Sequence, residues 1–438
     1  MELSTPQRVS LLVLFFIGLL LELGLQTFWM GKLGPYLSPV VWLLAGIVSC
    51  GSALLLVGFK KSPLPVSRDY YQRYNNALLI LSVSLFSALT IAAFLSNIFQ
   101  KYPSDPMSSD ILPSLEFYVR RFVGGERVYQ AMPFPGWTVL PTYFPLLWMP
   151  YLFSEILQID YRWTAYLVFV IGIYLYNLKI VRYDSPYAET AIKALLPFLF
   201  LLAFIPHQEH VFGYAVELLP VGFYLILTLS IFNRSRLLMA VGILLCLLSR
   251  YAFTFWLPFY FLVIWMEWGF KDLLRVGLMV LAGVLAFYIL PFWIKDPSIL
   301  KNGLDYYAET AVGQWQPQSW QEAGDKPHHL NRGMSFAIYF YDFAGGSLED
   351  KLAANRLVHL LACALAAGMI LLAYLLLRKR GLNVKIYLLV SLKFYLLIFY
   401  GLFYVPFGYL YMLPLFLSFP LLYYLPFRRG RYLALSNN

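Results

Sequence analysis

The chain has 438 residues, of which 60% are hydrophobic and 13% are charged. Because a soluble domain carries about a quarter of its residues as charged types, this composition excludes a soluble globular protein and indicates a membrane protein with many passes. The net charge of +10 does not indicate nucleic acid binding, because the basic residues stand in short clusters at the ends of apolar runs, where they orient membrane helices.

Long apolar runs recur along the whole chain and predict an all-α polytopic membrane protein. A membrane-spanning helix needs about 20 mostly apolar residues, and the runs are continuous rather than alternating, which favours helices over strands. We predict about twelve spans in a single integral membrane domain at 1–438, with both chain ends on the cytoplasmic side. The predicted spans lie near 9–30, 37–59, 76–100, 163–181, 190–206, 216–232, 237–250, 252–268, 272–294, 352–377, 384–405 and 406–426.

Clusters of basic residues set the predicted orientation, because such clusters stay on the cytoplasmic side of a membrane. The clusters predicted to face the cytoplasm are Lys60/Lys61, Arg68/Arg73, Lys179/Arg182, Arg234/Arg236, Lys271/Arg275, 378–380 and 428–431. This orientation leaves two large outer segments, 101–161 and 295–351, and a small outer turn at 207–210. The chain shows no separate soluble domain and no glycine-rich phosphate loop, so nucleotide-driven pumping is not indicated.

The segment at 138–158 contains three prolines, Pro141, Pro145 and Pro150. A proline costs about 3 kcal/mol in a helix interior, so a simple straight crossing is not expected here. We predict a re-entrant or broken helix on the outer side, which is tolerated where protein or a cavity covers the backbone.

The first outer segment contains a short amphipathic stretch that begins after Asp110. Pro113 suits the first turn of a helix, the pair Gly124-Gly125 ends it, and the apolar positions between them share one face. Those positions are Leu112, Leu115, Val119 and Phe122. The pattern predicts a helix that lies in the membrane interface, with Ser109 or Asp110 capping its first amides.

Acidic, glycine and aromatic residues surround this helix in a recognisable order. They are Asp110, Glu116-Phe-Tyr118, Arg121-Phe-Val-Gly124-Gly125, Tyr129, Tyr143-Phe-Pro145 and Pro150. This order resembles the first outer loop of the GT-C superfamily and is most similar to its polyprenyl-phosphate-mannose-dependent mannosyltransferase branch. The match covers 101–150, with weaker agreement in topology to about residue 294. The chain departs from the family in having three predicted spans before the loop instead of one, and Ser-Asp instead of paired acids.

The resemblance implies a GT-C-like bundle that transfers a sugar at the outer face of the membrane. The short loops hint at a bacterial inner membrane, and no cofactor or metal ligand is predicted. The loop acid, here Asp110, would be the general base that deprotonates an acceptor hydroxyl. That hydroxyl would attack the anomeric carbon of a polyprenyl-phosphate-linked hexose or pentose, such as mannose, with inversion. The acceptor would be a glycan or a glycolipid. Asp105 is the reserve candidate, although its flanking prolines are typical of a turn.

Several basic residues are candidates for binding the phosphate leaving group, whose growing negative charge a cation stabilises. Arg120 and Arg121 lie on the predicted helix. The alternatives are an ion pair between Arg120 and Glu116, four residues earlier, or contact with lipid headgroups. Arg250 follows a short apolar run and is the preferred ligand of the donor phosphate, with snorkelling to the interface as the alternative.

Two charged residues, Glu22 and Lys393, fall within predicted spans. An ionisable residue at membrane depth indicates a function or a buried partner. The sequence leaves two alternatives open, an ion pair between these two residues or a Lys393 that reaches a phosphate.

The outer turn at 207–210 reads His-Gln-Glu-His. Histidines three apart share a helix face, as in some metal sites, but no third ligand is evident and no metal is predicted. In proteins of the family that the chain resembles, the corresponding turn carries an acid that orients substrate. Glu209, with His210 beside it, is therefore a candidate for substrate binding, as is Tyr143 of the first outer segment; a hydrated turn is the alternative.

The second outer segment combines aromatic and polar residues that suit sugar stacking and suit a membrane-interface belt equally well. They are Trp315, Trp320, His328, His329 and Arg332. A long segment of this kind is usually functional, and we predict a lid or a wall of the acceptor site.

Two other functions remain open at this stage. O-antigen ligases and polymerases also have about twelve spans, but their chemistry centres on Arg and His in the later loop, where this chain has His328, His329 and Arg332. A lipid-linked-sugar transporter or flippase would instead carry polar sites at the membrane midplane and paired interrupted helices, and no such pairing is evident.

Overall fold

Helices make up almost all of the regular structure of the protein. The computed structural model describes residues 4–29, 32–59, 70–180, 186–233, 235–317, 321, 325–422 and 425. The predicted features that lie outside the described residues are Lys60, Lys61, Arg68, Arg182, Arg234, Trp320 and 428–431.

The α-helices are numbered in chain order. They are α1 (Thr5–Gly24), α2 (Gly34–Val57), α3 (Tyr70–Lys101), α4 (Ile111–Val123), α5 (Pro145–Trp148), α6 (Leu152–Leu157), α7 (Tyr161–Ile180), α8 (Tyr187–Phe204), α9 (Glu209–Tyr214), α10 (Leu218–Asn233), α11 (Arg236–Leu247), α12 (Leu257–Trp268), α13 (Phe270–Val284), α14 (Ile299–Gln314), α15 (His328–Arg332), α16 (Ala337–Phe343), α17 (Leu348–Arg378), α18 (Val384–Gly401), α19 (Met412–Phe416) and α20 (Ser418–Leu422). Leu25–Trp29 and Leu285–Trp293 form π-helical turns, and Met149–Tyr151, Tyr251–Phe253 and Gly408–Tyr411 form 3₁₀ turns.

A β-hairpin follows α4. Strands β1 (Met132–Phe134) and β2 (Trp137–Val139) pair antiparallel, with Met132 opposite Val139. Pro135 and Gly136 connect them, and Gly136 has a φ of +88°, a conformation that glycine adopts without a steric cost. The hairpin was not predicted, although a Pro-Gly pair between apolar residues is a known turn signal.

Helices α10 and α18 lie at the centre of the bundle. Nearly every residue of both helices is buried, as expected for helices that are apolar on all faces. A Cβ at Gly222 of α10 would lie 2.8 Å from the carbonyl oxygen of Val168 on α7. Glycine therefore lets these two backbones approach closely, as small residues do in membrane bundles.

The lengths of the helices show an all-α membrane protein with many passes. Within the described residues, seven helices are long and apolar enough to cross a membrane, or eight if one bent pair counts as a span. The seven are Thr5–Phe28, Gly34–Val57, Arg73–Lys101, Tyr187–Phe204, Phe270–Trp293, Leu348–Arg378 and Val384–Gly401. Four further predicted spans coincide with shorter apolar helices, at Leu218–Asn233, Arg236–Leu247, Leu257–Trp268 and Gly408–Leu422.

The bent pair contains the proline-rich segment at 138–158. Helical turns at Pro145–Leu157 meet the helix Tyr161–Lys179 at an angle of 116°. The interruption predicted from the prolines is present, in a form that fits either a broken span or a re-entrant loop. Gln158 in the bend has a φ of +53° and ends α6 in a left-handed conformation.

Some of the described basic residues that were predicted to face the cytoplasm join the ends of different helices. Hydrogen bonds join Asn383 to Gly58 and Lys385 to Phe232, and ion pairs join Arg236 to Asp272 and Arg378 to Glu267. The segments predicted to lie outside converge elsewhere, around the cavity described below. The orientation of these segments across the membrane stays a prediction.

A buried ion pair joins α1 to the central helix α18. The ammonium of Lys393 on α18 lies 2.7 and 2.9 Å from the two carboxylate oxygens of Glu22 on α1. Ser49 donates to the same carboxylate at 3.1 Å, and Lys393 also donates to Ser418. Both charged side chains are fully buried. Of the two alternatives for Glu22 and Lys393, the structure shows the pair.

Candidate functional site

A cavity of about 1350 Å³ lies among the segments predicted to be outside. The start of α4, the hairpin, the 207–215 turn, the residues after α11, helices α14 and α15 and the 403–410 segment form its wall. The predicted site residues that line it are Asp110, Tyr143, His210, Arg250, His328, His329 and Arg332. The predicted site residues that do not line it are Asp105, Arg120, Arg121 and Glu209.

Asp110 occupies the N-cap position of α4 but does not cap the helix. Its side chain makes no capping hydrogen bond, while Ser109 Oγ accepts the Ile111 amide at 3.4 Å. The carboxylate is open to the cavity, yet protein surrounds it on most sides, and this burial raises the pKa of Asp110 above its ordinary value of 3.8. Of the two predicted caps, Ser109 accepts a hydrogen bond from a helix amide, whereas Asp110 lines the cavity.

Asp105 is a turn residue, as its flanking prolines indicated. Its Oδ1 accepts the Met107 amide at 3.1 Å, and its Oδ2 accepts the Ser108 hydroxyl at 3.0 Å. Both carboxylate oxygens therefore serve the local turn, and the side chain does not reach the cavity wall.

Arg120 and Arg121 have structural partners outside the cavity. Arg120 pairs with Glu116 at 3.1 Å, the ion pair that their spacing predicted. Arg121 donates to the carbonyl oxygens of Gln130 and Ala131 at 2.6 and 2.8 Å, which holds the approach to the hairpin against α4. Neither guanidinium lies where a ligand of the cavity would meet it.

Tyr143 is held in the cavity wall by two other tyrosines of the same segment. The backbone amide of Tyr143 donates to the Tyr118 hydroxyl at 3.0 Å, and the Tyr129 hydroxyl donates to the Tyr143 carbonyl at 3.0 Å. The Tyr143 hydroxyl lies within electrostatic range of both Asp110 and Arg250, and burial raises its pKa. Tyr143 thus lies near both charged groups, Asp110 and Arg250.

Arg250 lines the cavity and pairs with a carboxylate that the sequence analysis did not single out. Its Nη2 donates to Glu217 Oε2 at 2.5 Å, and the Glu217 side chain is only 3% exposed. Glu217 stands in the turn between α9 and α10, and Arg250 stands between α11 and the Tyr251–Phe253 turn. Arg250 therefore does not snorkel to an interface, because its guanidinium is held by a buried partner.

His210, His328 and Arg332 line the cavity close to one another. Arg332 lies within electrostatic range of both histidines, and His328 also lies within range of His210. Burial and the nearby Arg332 charge lower the pKa of His210 and of His328 below the ordinary value of 6.5. Burial, with a smaller effect of His328, lowers the pKa of His329 to about 4. The imidazoles are therefore neutral at pH 7.

Glu209 lies outside the cavity wall and forms an ion pair with Lys101 at the end of α3. His207 lines the cavity and packs its ring 4.1 Å from that of Phe28. Across the described residues, no group of three or more His, Cys, Asp or Glu side chains is arranged to hold a metal ion.

The second outer segment contributes a helix, α14, to the cavity wall. Tyr306, Tyr307 and Gln314 of α14 line the cavity. Trp315 is buried and donates from Nε1 to the Tyr404 carbonyl at 2.6 Å, so its ring belongs to the core. The segment thus forms part of the cavity wall through residues that precede Trp315 in the chain, and not through Trp315 itself.

Arg162 was missed by the sequence analysis. It is 3% exposed and donates to the carbonyl oxygens of Tyr102, Gly213 and Phe99 at 2.6, 2.7 and 3.0 Å. It also binds Asp160, two residues earlier. Arg162 ties the end of α3 to the end of α9, two elements that lead into the cavity wall. The signal in the sequence was an Asp-x-Arg pair at the start of an apolar run.

No protein-family model, no curated protein and no solved structure matches the chain. Functional inference therefore depends on the residues of the cavity and on the resemblance of the first outer segment.

Proposed function

We propose that the protein is a GT-C-like membrane glycosyltransferase that moves a sugar from a polyprenyl-phosphate donor to a glycan or glycolipid acceptor at the outer membrane face. The sugar is a hexose or a pentose, such as mannose. The observation that carries the proposal concerns Asp110, whose carboxylate stands at a helix N-cap position, does not cap the helix and lines a large cavity instead. Because this carboxylate makes no capping hydrogen bond, it is available to accept a proton.

In the proposed reaction, Asp110 takes the proton of an acceptor hydroxyl as the hydroxyl oxygen bonds to the anomeric carbon. The bond from that carbon to the phosphate oxygen breaks, and its electron pair leaves with the polyprenyl phosphate. A carboxylate whose pKa is raised by burial is a stronger base than one in water, which favours the transfer of the proton. The proposed mechanism is a single displacement and inverts the anomeric carbon.

Arg250 is the proposed partner of the donor phosphate. Glu217 occupies its Nη2, and a guanidinium carries five N–H donors in a rigid fork, so further donors can meet a phosphate oxygen. Hydrogen bonds of this charge-assisted kind stabilise the charge that develops on a leaving phosphate. Tyr143, within range of Asp110 and Arg250, would lie beside the sugar that passes between them.

The helices supply segments for the proposed twelve-span architecture. The seven long helices, the bent pair and the four shorter apolar helices together make twelve apolar segments. The shorter ones are 12 to 16 residues long, less than the roughly 20 that a full crossing needs. In the proposal, they cross together with the irregular turns that follow them, such as Tyr251–Phe253 after α11.

The test compares the wild-type protein with Asp110→Asn after reconstitution in lipid, with a labelled polyprenyl-phosphate sugar and an extract of mixed acceptors. General-base catalysis contributes about 10²- to 10⁴-fold, so we expect the variant to lose that much transfer while it still binds the donor. Asp296→Asn makes the same change at a carboxylate that accepts hydrogen bonds from Ser298 and does not line the cavity; it is the matched control and should transfer normally. Full transfer by Asp110→Asn would refute the assignment of the base.

A second candidate function is an O-antigen ligase or polymerase type of reaction that uses the later segment. The observation that favours it is that His328, His329 and Arg332 line the same cavity as Asp110. In that case Arg332→Ala would abolish transfer from a polyprenyl-diphosphate donor while Asp110→Asn remained active. If neither donor type yields transfer, a flux assay with the same labelled lipid tests the transporter alternative.

A further inference from the structure

Within the described residues, the cavity wall has three fully charged side chains. They are Asp110, Arg250 and Arg332. Asp110 and Arg250 are both within electrostatic range of Tyr143 and Tyr409, so these two charges share one region. Arg332 lies within electrostatic range of His210 and His328 and belongs to another element of the wall, α15, which packs against α2. The cavity therefore has two polar regions.

The two arginines differ in the partners that they already have. Arg250 is already paired with the buried carboxyl group of Glu217, at 2.5 Å. Arg332 stands at the end of α15, exposed to the cavity, and no carboxylate of the described chain lies within ion-pair distance of it. The positive charge of Arg332 is thus available to an anion, with the neutral rings of His210 and His328 beside it as additional hydrogen-bonding groups.

Aromatic rings connect the two regions. The His329 ring, next to that of His328, lies 4.8 Å from the ring of Phe407, and Phe407 stacks on Tyr409 at 5.4 Å with an angle of 5° between the planes. Tyr409 in turn is within range of Asp110. Flat aromatic faces without charge suit the apolar face of a sugar ring, so a sugar could lie between the two regions without meeting a further ion.

The size of the cavity fits two ligands better than one. Sites for a single small molecule are usually about 300–1,000 Å³, whereas this cavity holds about 1350 Å³. A transfer reaction needs both reactants in the cavity at once, each held so that the reacting atoms meet.

We propose that Arg332, with His210 and His328, is a second anion-binding subsite, and that the acceptor of the transfer is a phosphorylated glycan or glycolipid whose phosphate or diphosphate binds there. This inference rests on the proposed function, in which the donor phosphate binds at Arg250. The aromatic rings Phe407 and Tyr409 then support the sugar between the acceptor anion and the base Asp110. The acceptor class follows from the chemistry of Arg332, which has no carboxylate partner among the described residues, because a planar guanidinium binds phosphate through two parallel hydrogen bonds.

The experiment measures binding of inorganic pyrophosphate to the purified full chain in nanodiscs of zwitterionic lipid by calorimetry. We expect saturable binding by the wild type and at least tenfold weaker binding by Arg332→Ala and Arg332→Gln. Both variants change an exposed side chain, and the second keeps hydrogen-bond donors without the charge. Arg120→Ala removes an exposed arginine that lies outside the cavity, and we expect it to bind pyrophosphate as the wild type does.

A second titration separates the acceptor subsite from the donor subsite. Pyrophosphate is titrated in the presence of saturating geranyl phosphate, a short soluble form of the donor's lipid phosphate. Unchanged pyrophosphate affinity supports two subsites. Competition between the two ligands, or wild-type pyrophosphate binding by both Arg332 variants, overturns the inference. These titrations involve no sugar transfer, so failure of the Asp110 test would leave their result intact, and failure here would leave the Asp110 test intact.

Discussion

The guanidinium of Arg250 donates to the carboxylate of Glu217 at 2.5 Å in the wall of the cavity that holds Asp110. The two residues are 33 positions apart and stand in turns that flank different helices. Glu217 orients the guanidinium and balances its charge, so that the cavity presents Arg250 as a fixed array of donors.

The first prediction concerns the Arg250–Glu217 pair. Removing one partner of a buried ion pair costs about 3–5 kcal/mol of stability because the other charge stays buried without compensation. We therefore expect Arg250→Met to lower both the melting temperature and donor binding. The double variant Arg250→Met/Glu217→Gln should recover most of the melting temperature but not donor binding or transfer. If the double variant also regains transfer, Arg250 has only a structural role.

The second prediction concerns pH and Asp110. A general base must be ionised, so transfer should fall as the pH drops through the raised pKa of Asp110, with a midpoint above the ordinary 3.8. The measurement is the pH profile of kcat/KM below pH 7. The midpoint of this acid limb should shift in Asp110→Glu, because the longer side chain changes both the reach and the burial of the carboxylate. An acid limb that is identical in Asp110→Glu would assign it to another group.

The third prediction concerns the effect of the raised pKa of Asp110 on the stability of the fold. A carboxyl group whose pKa is higher in the folded than in the unfolded state favours folding at low pH, and that contribution disappears as the pH rises through the folded pKa. The ionised Asp110 therefore does not stabilise the fold at pH 7. Asp110→Asn should melt at the wild-type temperature or above it at pH 7, whereas loss of a helix cap would cost about 1 kcal/mol. A clearly lower melting temperature would restore the cap as its role.

The fourth prediction concerns the buried pair of Glu22 and Lys393. Lys393→Met leaves a fully buried Glu22 with only the Ser49 hydroxyl, and we expect a loss of about 3–5 kcal/mol. Replacing both partners, as in Glu22→Leu/Lys393→Met, should cost much less, because hydrophobic residues of similar volume often replace a buried pair at little cost. Unfolding in mixed micelles provides the free energies, and equal losses in single and double variants would contradict the pairing.

Local pattern in the sequence was sufficient for several features of the first outer segment. The short helix predicted between Asp110 and Gly124 is present as α4, and Leu112, Leu115 and Val119 of its predicted apolar face are buried. The Glu116–Arg120 pair also forms as their spacing indicated. Phe122, the fourth residue of that face, is 38% exposed. These features depend on residues within one or two turns, so periodicity and spacing predict them.

The role of Asp110 could not be read from the same local pattern. A Ser-Asp pair before a helix suits a cap and a base equally, and which residue bonds the first amide depends on backbone angles at the helix entry. At Asp110 these are φ −82° and ψ −10°, already helical rather than extended as in a usual N-cap. The side chain is therefore aimed away from the helix amides and into the cavity.

Composition and the recurrence of long apolar runs determined that this is an all-α, multi-pass membrane protein. Only the tertiary structure decided which charges meet: Glu22 with Lys393 across 371 positions, and Glu217 with Arg250. It also decided that Arg332 has no carboxylate partner in the described chain while Asp110 lines the same cavity. The physical reason is that a membrane span needs about 20 mostly apolar residues in a row, which local composition reveals. Ion pairing between distant helices depends on how those helices pack, and no local period encodes that packing.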